Sequence, residues 1–475
     1  MYRCIVSLFL LFIIETPINA TPPENFTYSS FGLLTIYRPE SIPNSVVLFI
    51  SGDGGWNKGE IDMANSIVKL GALVVGIDYK NYLKNIRGYK SKCFYPAADF
   101  EQLSFAIQKK YRIKQYLKPV LVGYSAGASL AFGILAQAPD NTFKGAISLG
   151  FCPEIDINKP LCNGKALRQH VIKEGETYGL EACEKLSAPF IVLHGVIDQV
   201  CSHDETKRFM QSLQWGELIS LPNVGHSFSN EKNWLPQFIE SYKKVMIAPS
   251  FVNQKADQNV LLQSLGLNSL PGDFPVTVIP SASNDTLSMV FMISGDGGWT
   301  SFDQSLSESI ASKGIPVIGL DAQQYFWNVK TPEETATDIS KVIEFYLQQL
   351  KKSSFILVGY SFGASIVPFI ANRISDPLKS ELKGVFSLSP DEKCDFEIHV
   401  SDMLSLEISS DKYNVLSEIR SIKKIRPICV FGQEEDEVIR NHFAETEAKV
   451  FLLPGNHHYN DDFNRIAELI YSNTK

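Results

Sequence analysis

A chain of 475 residues is longer than one hydrophobic core covers, since cores stop growing at roughly 250–300 residues, so two domains are expected. With 44% hydrophobic and 20% charged residues the composition is globular, which excludes a disordered or a membrane-spanning body. The formal net charge of -8 argues against nucleic acid as the main partner, because a phosphate backbone calls for a basic footprint.

Residues 1–20 read as a secretory signal peptide. Arg3 supplies the positive charge, an apolar run occupies 5–14, and Pro17 and Ala20 precede a cut before Thr21. The run is too short to span a bilayer comfortably. Export places the mature chain in an oxidising compartment, where disulfides persist. Cys4 leaves with the signal, and the odd remainder leaves at least one cysteine outside any intramolecular pair. Cys93, Cys152, Cys162, Cys183 and Cys201 crowd into the first half, with Cys152 and Cys162 a candidate loop pair. No His/Cys grouping has zinc-ligand spacing, so neither metal nor cofactor is expected.

From residue 46 an apolar run leads into Ser51-Gly52-Asp53-Gly54-Gly55-Trp56. A helical stretch, Gly71 and an apolar run ending in Gly76-Ile77-Asp78 follow. The segment 99–111 has the length and pattern of an amphipathic helix. The apolar run 119–122 then enters Gly123-Tyr124-Ser125-Ala126-Gly127. Further runs at 190–195 and 218–221 are followed by Asp198 and His226 in loops. Residues 249–286 read as a linker, rich in Asn, Ser, Asp and Pro and carrying the turn signal Pro271-Gly272.

The second half repeats the order. The hexapeptide of 51–56 recurs unchanged at 294–299, Gly314 and Gly319-Leu320-Asp321 follow, and Thr331-Pro332-Glu333-Glu334 opens a helix over 333–350. The run 355–358 enters Gly359-Tyr360-Ser361-Phe362-Gly363. After the run 428–432 come Glu434, Glu435 and Asp436, and after 449–453 come His457 and His458. The runs lack polar alternation, as strands buried on both faces of a parallel sheet do. The expected fold is therefore α/β, with two tandem α/β-hydrolase-like domains over 21–248 and 287–475, each a mostly parallel sheet with helices on both faces.

A strand running into Gly-x-Ser-x-Gly and a helix is a nucleophile elbow: the serine sits on a turn so tight that only glycine fits on either side. A serine hydroxyl needs a base, the base needs an acid to orient it, and in this fold they follow in the order Ser, acid, His. The first half predicts Ser125, Asp198 and His226. The second predicts Ser361, Asp436 and His457, with His458 as alternative base and Glu434 and Glu435 competing for the acid's place. Backbone N–H groups of Asp53 or Gly54 with Ala126, and of Asp296 or Gly297 with Phe362, are candidate oxyanion donors, each worth roughly 2.7–4 kcal/mol of barrier. Asp53 and Asp296 could instead meet a cationic substrate group or order their loops.

These motifs resemble those of the AcvB/VirJ family of bacterial virulence proteins. The second half carries the closer likeness, in residues 294–299, Gly319-Leu320-Asp321 with Tyr325-Phe326-Trp327, Lys330-Thr331-Pro332-Glu333, residues 359–364, Ser387-Leu388-Ser389-Pro390 and residues 453–458. The first half departs after Asp78 and adds a cysteine-bearing segment at 152–183. The resemblance implies a periplasmic hydrolase. For AcvB-like members it implies cleavage of the lysyl ester of lysyl-phosphatidylglycerol at the membrane surface, with a link to type IV secretion and its proteins. It carries the nucleophile to Ser361, the acid to Asp436 and the base to His457 or His458. Two other readings compete: a general exported carboxylesterase or peptidase, and a non-catalytic periplasmic adaptor for secretion.

Overall fold

In the computed structural model, which describes residues 20–164, 166–183, 186–248, 274–281, 287–399 and 412–474, the apolar runs form two sheets. Residues 1–19 of the expected signal peptide, and residues 249–273 and 282–286 of the expected linker, lie outside the described residues. Among the described residues no helix is long and apolar enough to cross a membrane.

The first half contributes β1 (Glu24–Tyr28), β2 (Gly32–Tyr37), β3 (Ser45–Ile50), β4 (Ala72–Ile77), β5 (Val120–Tyr124) and β6 (Gly145–Leu149). The strands β7 (Glu154–Asp156), β8 (Gln169–Lys173) and β9 (Thr177–Leu180) follow, then β10 (Phe190–Gly195) and β11 (Gly216–Leu221). The main sheet has the order β1-β2-β4-β3-β5-β6-β10-β11, antiparallel at β1–β2 and β2–β4 and parallel from there on. Every residue of β3, β4 and β10 is buried, which is why these strands read as continuous apolar runs.

The second half contributes β12 (Val276–Ile279), β13 (Ser288–Ile293), β14 (Val317–Leu320), β15 (Ser354–Tyr360) and β16 (Leu382–Leu388). They are followed by the short pair β17 (Lys393–Cys394) and β18 (Tyr413–Asn414), then β19 (Ile428–Gly432) and β20 (Lys449–Leu453). Its main sheet runs β12-β14-β13-β15-β16-β19-β20, with only β12 antiparallel. β12 falls inside the segment expected to be linker, so the second sheet begins earlier in the chain than its composition suggested. Helices cover both faces of each sheet, giving one apolar cluster per face.

Local chemistry explains the repeated motif. Trp56 lies over Gly76 so closely that a Cβ there would stand 2.4 Å from the indole, and Trp299 covers Gly319 in the same way at 2.0 Å. Asp78 accepts from the Trp56 N–H and, as N-cap, from the Asn81 N–H, tying the loop after β3 to the helix after β4. The helix Pro332–Gln349 starts with the expected capping box between Thr331 and Glu334. The expected helix 99–111 is Pro96–Lys110.

The cysteine expectation needs correction. Cys152 does not meet Cys162: the disulfides are Cys93–Cys162 and Cys152–Cys201. The segment between Cys152 and Cys162 carries β7, which pairs with β9 in a three-stranded antiparallel sheet, and this draws the two cysteines to different neighbours.

The halves meet through side chains. Trp327 is 1% exposed and packs on Phe105 and Tyr116, while its Nε1 donates to the Ile113 carbonyl at 2.8 Å. Lys109 pairs with Glu397 at 2.7 Å and donates to the Trp327 carbonyl, and Asn141 donates to the Trp299 carbonyl.

Candidate active sites

Both predicted nucleophiles stand on the turn that sequence demanded. Ser125 and Ser361 have φ of 55° and 53°, a left-handed conformation rare for a residue with a side chain. Each lies between its sheet's strand and a helix, Ala126–Gln137 or Phe362–Arg373. A Cβ on Gly123 would stand 2.2 Å from the Gly127 carbonyl oxygen, and one on Gly359 2.2 Å from that of Gly363, so both flanks must be glycine.

In the first half the three predicted residues form one hydrogen-bonded line. Ser125 Oγ is 2.8 Å from His226 Nε2, and His226 Nδ1 is 2.8 Å from Asp198 Oδ2. The Asp198 side chain is buried and its other oxygen accepts from the Val200 and Cys201 N–H groups at 2.8 and 3.0 Å. Burial alone would raise its pKa, but the Cys201 N–H, the His226 imidazole and the Val200 N–H outweigh it and hold the carboxyl below the ordinary value. An ionised Asp198 fixes the proton on Nδ1 and leaves Nε2 to accept from the serine. The Cys152–Cys201 disulfide anchors this acid loop, and buried His194 donates to the Cys201 carbonyl behind it. Neither support was visible in the sequence.

The second half differs in its acid. His457 Nδ1 is 2.8 Å from Glu435 Oε1, not from Asp436. Asp436 is instead the N-cap of the helix Glu437–Ala444, accepts from the Val438 N–H at 2.8 Å, and is exposed. The expectation of Asp436 as acid is therefore corrected to Glu435. The backbone explains why: the Asp198 and Glu435 N–H groups close the same turn, onto the Gly195 and Gly432 carbonyls, both at 3.2 Å. Glu435 Oε2 accepts from the Gly432 N–H at 2.5 Å and from Ser389 Oγ at 2.8 Å. Burial raises its pKa, yet His457, Gly432 and Ser389 together bring it below the ordinary carboxylate value.

Of the two candidate bases, His457 holds the acid. His458 Nδ1 lies 3.1 Å from the Tyr360 hydroxyl. That hydroxyl also donates to the His457 carbonyl, as Tyr124 does to His226. No hydrogen bond joins Ser361 Oγ to His457 among the described residues, and the His457 side chain is 42% exposed against 17% for His226.

The Ser-Gly-Asp-Gly-Gly-Trp loops lie against the elbows. A Cβ on Gly52 would stand 3.2 Å from Ser125 Cβ, and one on Gly295 3.5 Å from Ser361 Cβ. Each loop folds back through a Gly55-to-Gly52 or Gly298-to-Gly295 hydrogen bond of 3.1 Å, with Asp53 and Gly54, or Asp296 and Gly297, at its tip. Ala126 and Phe362 begin their helices, so their N–H groups have no helical carbonyl to serve. The Gly297 N–H meets the Asp296 carboxylate at 3.1 Å.

A cavity of about 420 Å³ opens at the second elbow. Ser361, Phe362, Asp296 and Gly297 line it, and so do Glu101, Phe105 and Asp140 from the first half.

Strand order, elbow and the sequence of nucleophile, acid and histidine define each half as an α/β-hydrolase-type domain, duplicated within one chain. The family model described as "Bacterial virulence protein (VirJ)" matches residues 44–148 and 285–475, more than half of the chain. The chain belongs to the VirJ family. No curated protein matches it in sequence. Among solved structures, Est1E from Butyrivibrio proteoclasticus is similar at 11% identity and a TM-score of 0.32, covering 48% of this chain and 100% of its own. Dienelactone hydrolase from Anabaena variabilis gives 17% and 0.32, covering 48% and 98%. The esterase Pf2001 from Pyrococcus furiosus gives 10% and 0.34, covering 48% and 92%.

Proposed function

We propose that the chain is an exported, periplasmic serine hydrolase that cleaves the lysyl ester of lysyl-phosphatidylglycerol, serving virulence and type IV secretion by restoring the anionic lipid. The observation that carries the hydrolase reading is the Ser125–His226–Asp198 line, with both hydrogen bonds at 2.8 Å. The histidine takes the hydroxyl proton as Oγ attacks the ester carbonyl. The oxyanion forms between the helix N-terminus and the glycine loop, and the histidine returns the proton to the departing lipid hydroxyl. Water then releases lysine from the acyl-serine by the same steps. The lysyl-lipid assignment rests on the VirJ kinship of the second half and on the acidic cavity at Ser361.

The test is release of free lysine from vesicles containing lysyl-phosphatidylglycerol by the mature protein, by Ser125→Ala, by Ser361→Ala and by the double variant. Loss in Ser361→Ala alone places the lipid chemistry in the second half and gives the first half a different ester. Absence of lysine release from the wild type, with simple esters still cleaved, removes the lipid and leaves the hydrolase.

A further inference from the structure

Part of the wall of the cavity at Ser361 belongs to the other half of the chain. Glu101 projects from the helix Pro96–Lys110, and two further residues of that helix lock it to the second half: Phe105 packs on Trp327 and Lys109 pairs with Glu397. Glu101 is therefore held in place, not carried on a loose flap.

The charges around the cavity are unevenly matched. Six carboxylates line it against one lysine, Lys393, and one histidine, His399. Two of the acids are ion-paired, Glu397 to Lys109 at 2.7 Å and Asp395 to His399 at 2.9 Å. Glu101 has neither hydrogen bond nor ion pair among the described residues. Among the described residues Asp296 accepts only from the N–H of its own neighbour Gly297. Burial, and then the facing Asp296 charge, push the Glu101 carboxyl up to about 7. Two like charges lining one cavity beside a nucleophile cost free energy that a bound cation would recover. Asp296, like the corresponding loop residue Asp53 of the first half, is exposed, and what the second site has in addition is Glu101 lining the same cavity.

We propose that Glu101 and Asp296 form a subsite for an ammonium group in the acyl part of the substrate, so that the first half supplies a specificity-determining carboxylate to the nucleophile of the second. The proposal deepens the hydrolase reading and rests on Ser361 as the residue that receives the acyl group. It names the substrate class as esters of cationic acyl groups. It also assigns the first half a role in the second half's selectivity, separate from its own Ser125.

Binding tests it without needing turnover. The full mature chain carrying Ser361→Ala is titrated with L-lysinamide and with uncharged hexanamide by calorimetry at low ionic strength. Lysinamide is expected to bind at least tenfold more tightly. Adding Glu101→Gln is expected to cut that ratio about tenfold, and Asp296→Asn, on an exposed loop, gives an independent reading should the first variant fail to fold. A parent protein that does not discriminate, or a ratio unmoved by both substitutions, overturns the subsite. Serine-dependent lysine release from the lipid together with an unmoved ratio removes the subsite and keeps the hydrolase. A Glu101-dependent ratio in a chain that cleaves no ester does the reverse.

Discussion

Replacing Glu435 by Gln tests which residue orients the second histidine. The carboxylate accepts three hydrogen bonds, from His457 Nδ1, the Gly432 N–H and Ser389 Oγ. A glutamine amide offers one oxygen in place of two, so one of these donors faces an NH₂ group. If Gly432 and Ser389 keep the oxygen, the amide donates to Nδ1 and moves the imidazole proton to Nε2, where it can no longer accept from Ser361. The equivalent substitution in a well-studied triad costs about 10⁴ in kcat, or roughly 5.4 kcal/mol of barrier. Asp436→Asn should change kcat less than threefold, because Asn caps a helix about as well as Asp. Both variants are made in a Ser125→Ala background, so that ester hydrolysis reads the second site alone. A collapse of activity in Asp436→Asn with Glu435→Gln near wild type would refute the assignment.

Breaking the first half's tether with Cys152→Ser plus Cys201→Ser removes a link spanning 49 residues, worth about 4 kcal/mol by loop entropy. The melting temperature should fall, and Ser125-dependent turnover should fall with it as the Asp198 loop loosens. Asp303 is buried, and that burial pushes its carboxyl from 3.8 up to about 7. Folded protein therefore holds a proton that the unfolded chain releases. Stability is complete below the unfolded value and declines as pH rises through 7, by an amount on the order of 4 kcal/mol. Urea midpoints between pH 4 and 8 should show a smaller decline in Asp303→Asn than in wild type, and an equal decline would contradict this. Trp327→Ala should cost about 3–5 kcal/mol and resolve calorimetric unfolding into separate steps for the two halves; a single unshifted transition would deny its role at the interface.

The elements most legible in the sequence were those whose chemistry is local. The elbow needs glycine within two residues of the serine, and Gly76 and Gly319 answer a tryptophan of the same motif. The acid of the second site is missed by one position when Asp436 is paired with Asp198 by residue type. Counting from the strand-end glycine gives Glu435, three residues after Gly432 as Asp198 is three after Gly195. Ser389 corresponds to Gly150, where a Cβ would stand 3.2 Å from His226, and its hydroxyl was invisible until the strands were laid side by side. Disulfide partners and Glu101 were beyond reach for another reason. They depend on which segments the fold brings together, 49 or 69 residues apart for the disulfides and across the two halves for Glu101.

The contact around Trp327 has a consequence for how the duplication works. Three aromatic rings and a few hydrogen bonds would hold two separate proteins only weakly, since free partners must surrender translational and rotational freedom. Joined in one chain, the halves meet at an effective concentration set by their connection, commonly millimolar, so a modest patch stays occupied. Substitutions in this patch should therefore act like a change in a tethered receptor's occupancy, graded and tunable, and alter the second site's selectivity before they abolish its chemistry.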